Sequence, residues 1–193
     1  LKEEFDLPIF EVISPAIKKA VATSKTGRIG IIGTRATITS GVYEKKIRKQ
    51  NSSFKVYSTP CPLLVPLVEE GWFEKRETKM ILRRYLHPLK LKQVDSLVLG
   101  CTHYPLLKDL IRPRIGKRVK VIDSSEEVAA DLKSYLREHS SFAKELTQNG
   151  RHHYYVSDIT YTAHSIAQRI FGREIQLNKT TYAPQSGEVK SEK

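Results

Sequence analysis

The sequence predicts an α/β fold in which helices cover parallel sheets. Three observations carry this. Strand-like and helix-like segments alternate along the 193 residues, the order that builds parallel sheets. Two segments, Ile29-Gly30-Ile31-Ile32 and Leu97-Val98-Leu99, are compact apolar runs that read as strands. Both then reach a glycine, Gly33 or Gly100, at which the backbone can turn tightly. A hydrophobic content of 39% supplies a core for a chain of this length.

The elements follow in order. Ile9 to Ile13 reads as a short strand after Pro8, and Pro15 opens a helix-like run through Ala22. Arg28 to Gly33 is a strand, and Thr34 begins a helix-like stretch to Lys49. Phe54 to Ser58 alternates as a strand, and Pro62 to Val68 leads into a helix near Glu69-Glu70-Gly71. Glu77 to Tyr85 is a further helix, Ser96 to Leu99 a strand, and Tyr104 to Ile111 a helix halted near Pro113. Val119 to Ile122 is a strand ending at Asp123. Ser124 and Ser125 then cap an amphipathic helix to His139, with Glu126 and Glu127 in its first turn. His152 to Val156 is a strand, Thr160 to Phe171 a helix ended by Gly172, and Glu174 to Leu177 a last strand. The tail from Pro184 to Lys193 is polar and is expected to be disordered.

Composition excludes several classes. The longest apolar stretches, such as Ile29 to Ile32 and Leu63 to Val68, fall far short of the roughly 20 residues that span a bilayer, so no membrane segment is expected. The charged start, Leu-Lys-Glu-Glu-Phe-Asp, lacks the pattern of a secretory signal. Two cysteines, Cys61 and Cys101, point to a reduced, cytoplasmic chain without a disulfide. The net charge of +12, from 33 Lys and Arg against 21 Asp and Glu, raises a polyanion as partner. The basic residues are dispersed along the chain, however, and form no known nucleic-acid signature. A solvated basic surface is the simpler reading, and nucleic acid is not the expected partner.

Ligands of parallel sheets bind outside the carboxyl ends of the strands, which singles out three places. Gly100-Cys101-Thr102-His103 delivers a thiol, a hydroxyl and an imidazole at one strand end. A lone cysteine is often an inert buried thiol, but this placement offers the exposure and polar neighbours that thiolate chemistry needs. Gly33-Thr34-Arg35-Ala36-Thr37 sets two hydroxyls three residues apart at a strand-to-helix turn, where free amides can join them in binding a small carboxylate. Alone, this arrangement is equally a plain N-cap. It is neither a Walker loop nor a dinucleotide fingerprint. Cys61, beside Pro62 and without a polar partner, reads as packing.

Three blocks in order resemble bacterial glutamate racemase, of the aspartate/glutamate racemase superfamily. They are Ile29 to Tyr43 (IGIIGTRATITSGVY), Cys61 to Gly71 (CPLLVPLVEEG) and Leu99 to Leu107 (LGCTHYPLL). The likeness continues through Val121 to Ser124, His153 to Asp158 and Phe171-Gly172. It implies a cofactor-independent enzyme that interconverts L- and D-glutamate for peptidoglycan, using two cysteines on opposite faces of the substrate. Inversion through a planar carbanion-like state needs a base on one side and an acid on the other. The resemblance makes Cys101 the second of that pair and His103 its assisting neighbour. It gives Thr102, Thr34 and Thr37 to substrate binding and Glu69 to tuning the site, with Glu70 as the adjacent alternative. It implies no metal.

The family's opening features, an Asp-Ser-Gly motif, a Pro-Tyr-Gly loop and a first cysteine near Asn-Thr, are not found in this sequence. Cys61 lies in the Cys-Pro block and cannot replace that cysteine. The resemblance therefore implies two similar three-layer α/β/α domains with mainly parallel sheets, the first of them incomplete here. Residues 1–13 would end the first domain, 14–122 would form the second, 123–183 would return to the first, and 184–193 would be a tail. On this expectation the N-terminal portion is missing, the chain alone is inactive, and an apolar surface is left that a homodimer would cover. A related aspartate or hydantoin racemase and a non-catalytic basic binding protein are the other two readings.

Overall fold

The structure is a computed structural model, and it describes residues 7–147 and 149–181. Two compact units divide the chain, Leu1–Leu146 and Thr147–Lys193. The predicted tail from Pro184 lies outside the described residues.

The first unit is a parallel four-stranded sheet between helices. Its elements are α1 (Ile13–Thr23), β1 (Arg28–Gly33), α2 (Arg35–Thr39), α3 (Val42–Gln50), β2 (Lys55–Pro60), α4 (Leu64–Glu69), α5 (Arg76–Leu91) and β3 (Ser96–Gly100). A short 3-10 turn (Tyr104–Leu107), α6 (Lys108–Ile115), β4 (Lys120–Asp123), α7 (Ser124–Glu138) and α8 (Ser140–Glu145) follow. The strand order is β2-β1-β3-β4, all parallel. The second unit has β5 (Tyr154–Val156), α9 (Tyr161–Phe171) and β6 (Leu177–Lys179), with β5 and β6 paired in parallel.

Alternation along the central strands sends side chains to both faces. Ile29 and Ile31 of β1 and Val98 of β3 pack with Ala16, Ile17 and Ala20 of α1 and with Tyr43 and Ile47 of α3. Ile32, Leu97 and Leu99 pack on the opposite face with α4, α5 and α6 through Leu64, Leu82, Leu86 and Ile111. Each such Ile or Leu, fully buried, contributes roughly 1.5–3 kcal/mol of transfer free energy. The continuous apolar runs of β1 and β3 are therefore the signature of a sheet covered twice.

Several boundaries differ from the sequence reading, each for a local reason. Ile9 to Ile13 is not a strand: the Glu11 carboxylate accepts the N–H groups of Ile13 and Ser14, so the alternating segment opens α1 instead. The helix expected from Thr34 to Lys49 is two helices, because Gly41 adopts the left-handed conformation (φ 64°) between α2 and α3. Helix α5 continues through Pro88 to Leu91, held by buried Leu82, Leu86 and Leu89. Helix α6 likewise contains Pro113 and ends at Ile115, where Gly116 follows. Asp123, not a serine, caps α7 by accepting from the N–H groups of Ser125 (3.0 Å) and Glu126 (3.4 Å). Ser124 instead donates to the Leu99 carbonyl at 3.1 Å. Helix α8 was not anticipated. Strand β5 begins at Tyr154 rather than His152, and the last strand is Leu177–Lys179 rather than Glu174 to Leu177. Among the described residues, no helix is long and apolar enough to cross a membrane.

Candidate active site

The direction of winding reverses between β1 and β3. From β1 the chain moves to β2 through α2 and α3, then returns past β1 to β3 through α4 and α5 on the other face. The crevice at such a switch point, beyond the strand carboxyl ends, is where open α/β sheets bind ligands. Register brings Gly33 opposite Gly100 across this point and Gly33 opposite Pro60 on its other side. Thr34, Cys61 and Cys101 therefore leave three adjacent strands at one level.

Gly100 is required there by close packing. A Cβ at this position would lie 2.9 Å from the Ile32 carbonyl oxygen and 3.3 Å from the Tyr43 ring. Tyr43 is nearly buried, and burial, then the nearby Glu11 and Cys101, pushes its hydroxyl up to about 12. Tyr104 fastens the next turn of chain, its hydroxyl donating to the Cys61 carbonyl at 2.9 Å from a fully buried position. These two tyrosines were not singled out from sequence as site residues. Both lie inside the quoted blocks, but only the folded contacts show what they do.

Cys101 is half-buried at the head of this turn. Burial raises its thiol above the ordinary value, and hydrogen bonds from the backbone N–H groups of His103 and Tyr104 pull partly the other way. The Sγ of Cys101 lies 3.9 Å from His103 Nδ1. On the far side of the imidazole, Nε2 stands 3.5 Å from Glu69 Oε1 at the end of α4. Carboxylate, imidazole and thiol thus form a row, able to orient the ring and to relay charge toward sulfur. Of the two neighbouring acids, Glu69 makes this contact.

Thr34 and Thr37 form a second set. Thr34 is the N-cap of α2, accepting the Thr37 N–H at 3.2 Å, and the two hydroxyls lie 2.9 Å apart. The capping role and the paired hydroxyls are thus both present. Thr102 is exposed beside Cys101. Cys61 is different in kind: it is fully buried, and burial pushes its thiol up to about 12. Packing, as read from sequence, is its place. Among the described residues no three His, Cys, Asp or Glu side chains converge as metal ligands.

Comparison with known proteins agrees with this geometry. The model of the family Asp/Glu/Hydantoin racemase matches residues 1–132. A glutamate racemase of Geobacter metallireducens is 40% identical over 175 residues, covering 91% of this chain and 64% of its own. One of Aquifex aeolicus is 43% identical, with 94% and 66% covered. Among solved structures, glutamate racemase isoform RacE1 from Bacillus anthracis superposes with a TM-score of 0.83 at 32% identity, covering 93% of this chain and 67% of that one. The Francisella tularensis glutamate racemase, solved in complex with D-glutamate, gives 0.81 at 32% identity, with 91% and 65% covered. The chain spans about two thirds of the length of the relatives it matches. Switch-point crevice, cysteine turn and matched sequence lead to one conclusion: the chain belongs to the Asp/Glu/Hydantoin racemase family.

Proposed function

We propose that this chain carries one proton-transfer side of a cofactor-independent glutamate racemase site. The observation that carries this is the row Glu69, His103, Cys101, set at the switch point beside the Thr34–Thr37 hydroxyl pair. In this reading Cys101, as thiolate, takes the α-proton of one glutamate enantiomer. The planar carbanion that remains receives a proton from a second thiol on its other face. In the reverse direction Cys101 is the acid. A thiol raised by burial suits the protonated role, and the two backbone N–H groups stabilise sulfur when it carries charge. His103 assists the transfer and Glu69 orients His103. Thr34, Thr37 and Thr102 hold the substrate carboxylate.

Glutamate is favoured over aspartate because the relatives at about 40% identity are glutamate racemases and one solved relative holds D-glutamate. Aspartate and hydantoin racemases remain the second reading, through the breadth of the family. The domain division at residues 14–122 and 123–183 is part of the same proposal, and so is the cytoplasm as location, supported by two free thiols. The exposed Tyr155, Tyr161, Ile170 and Phe171 of the second unit support self-association as a homodimer, read by analytical ultracentrifugation. Because Cys61 is buried, the residues of this sequence offer one accessible thiol, and by themselves they are expected to exchange the α-hydrogen without racemising.

The experiment completes these residues with the part of the Aquifex aeolicus relative that they leave unmatched. Interconversion of L- and D-glutamate is then followed by circular dichroism. Racemisation of glutamate that disappears with Cys101→Ala supports the proposal. Racemisation that survives this substitution, or turnover of aspartate in preference to glutamate, overturns it.

A further inference from the structure

The positive charge that is scattered along the sequence is gathered by the fold. At the amino-terminal edge of the sheet and the flank of α5 and α6, three cavities of about 470, 580 and 470 Å³ share their walls. The first is lined by Arg83, His87 and Lys90 of α5 and by Arg114 of α6. Lys90 also lines the second, together with Lys117 and Arg118. Lys117 continues into the third, where Arg112 and Lys120 join it. The result is one continuous cationic track.

Its cations lack ion-pair partners among the described residues. Among the described residues none of Arg83, Lys90, Arg112, Arg114, Lys117 or Arg118 forms an ion pair. The sole acid in the lining is Asp95, and it is already occupied. Burial pushes its carboxyl up, yet the Ser24 hydroxyl and the N–H groups of Thr26 and Lys25, all within 2.7 Å, outweigh that and hold it low. Arg114 is fixed in place, donating from Nη1 to the Leu110 carbonyl (2.7 Å) and from Nε to the Lys79 carbonyl (3.3 Å). Burial, and then the charge of Arg83, lowers its affinity for its proton. Six unpaired cations against one carboxylate that is turned to neutral donors favour an anion from outside.

We propose that this track binds the phosphate backbone of double-stranded nucleic acid, without reading sequence. The cations run on through three joined cavities, which matches a chain of phosphates better than one small anion. Arg83 and Lys90 alone stand about 10 Å apart along the rise of α5. No Phe, Tyr or Trp lines the track and His87 is its one aromatic ring, so the succession of stacking platforms that holds single strands is lacking. Gln93, the one amide in the lining, is engaged with Arg28 at 2.7 Å. The track lies at the opposite edge of the sheet from Cys101, so the inference stands apart from the racemase reading.

The test is fluorescence anisotropy of the whole chain with a labelled 20-base-pair duplex, titrated across salt. With about five phosphates neutralised, affinity falls roughly 500-fold between 50 and 200 mM salt. The paired variants R83E/K90E and K117E/R118E change exposed residues. They are compared with K45E/K49E, which makes the same charge change on α3, across the sheet. Each track variant is expected to lose at least tenfold more affinity than the α3 control, with R83Q/K90Q giving a smaller loss in the same direction, and C101S leaving binding unchanged. Equal losses for track and control variants overturn the site. Tighter binding of a single strand of the same length, or of inorganic polyphosphate, overturns the occupant.

Discussion

The Nε2 of His103 stands 3.5 Å from Oε1 of Glu69, across the gap between the turn after β3 and the end of α4. The contact is partly open to water, so its Coulomb energy is small, and in the proposed reading it aims the ring. Glu69→Gln, which keeps the shape and removes the charge, is expected to lower kcat/KM for glutamate about tenfold, less than the roughly 10²–10⁴-fold that a group transferring the proton itself contributes. Glu70→Gln should change it less than twofold. Steady-state kinetics of the joined protein described above separate the two residues, and equal effects would remove Glu69 from its role.

The two thiols should differ sharply toward an alkylating agent. Thiolate is the reacting form, and burial raises Cys101 above its ordinary value. Its alkylation rate at neutral pH is therefore low, and it keeps rising with pH past the point where an exposed thiol has levelled off. Cys61, fully buried and pushed up to about 12, should stay unmodified until the protein unfolds. Peptide mass spectrometry after timed iodoacetamide treatment from pH 7 to 10 reads both. Modification of Cys61 first would contradict the structure.

Gly100→Ala places a methyl group 2.9 Å from the Ile32 carbonyl oxygen, which is backbone and cannot turn aside. The pairing of β1 with β3 must shift, at about 1–3 kcal/mol for an overpacked core. Urea denaturation should show this loss, and the displaced turn should also change the alkylation rate of Cys101.

Tyr104→Phe leaves the Cys61 carbonyl without its donor in a buried place. A cost of about 1–3 kcal/mol is expected for an unsatisfied buried acceptor, read again by urea denaturation. A change below about 0.5 kcal/mol would mean that another donor reaches this carbonyl.

Much of this arrangement was legible in the sequence. β1 and β3 were readable because burial on both faces writes an unbroken apolar run, and the glycines at their ends marked where the candidate site sits. Alternation failed at Ile9 to Ile13, since Glu11 between the apolar residues caps a helix, a role that polarity alone does not reveal. The Ser124-Ser125 pair hid the true cap, Asp123, because all three residue types suit that position. The row from Glu69 to Cys101 joins residues far apart in the chain, brought together by the packing of α4 on the turn after β3. The cationic track was illegible for the same reason: Arg83 and Arg114 become neighbours only when α5 and α6 pack.

The central place of β1 also sets a hazard during synthesis. β1 pairs with β2 on one side and with β3 on the other. On a ribosome adding roughly 5–20 residues per second, Gly100 emerges roughly 3–13 s after its partner Gly33, 67 residues later. Until then the Ile29, Ile31 and Ile32 strand shows one bare hydrogen-bonding edge, the form most prone to pair with another nascent chain. Slowed translation between these two strands should therefore reduce the soluble yield of this protein, even though its finished sheet hides that edge completely.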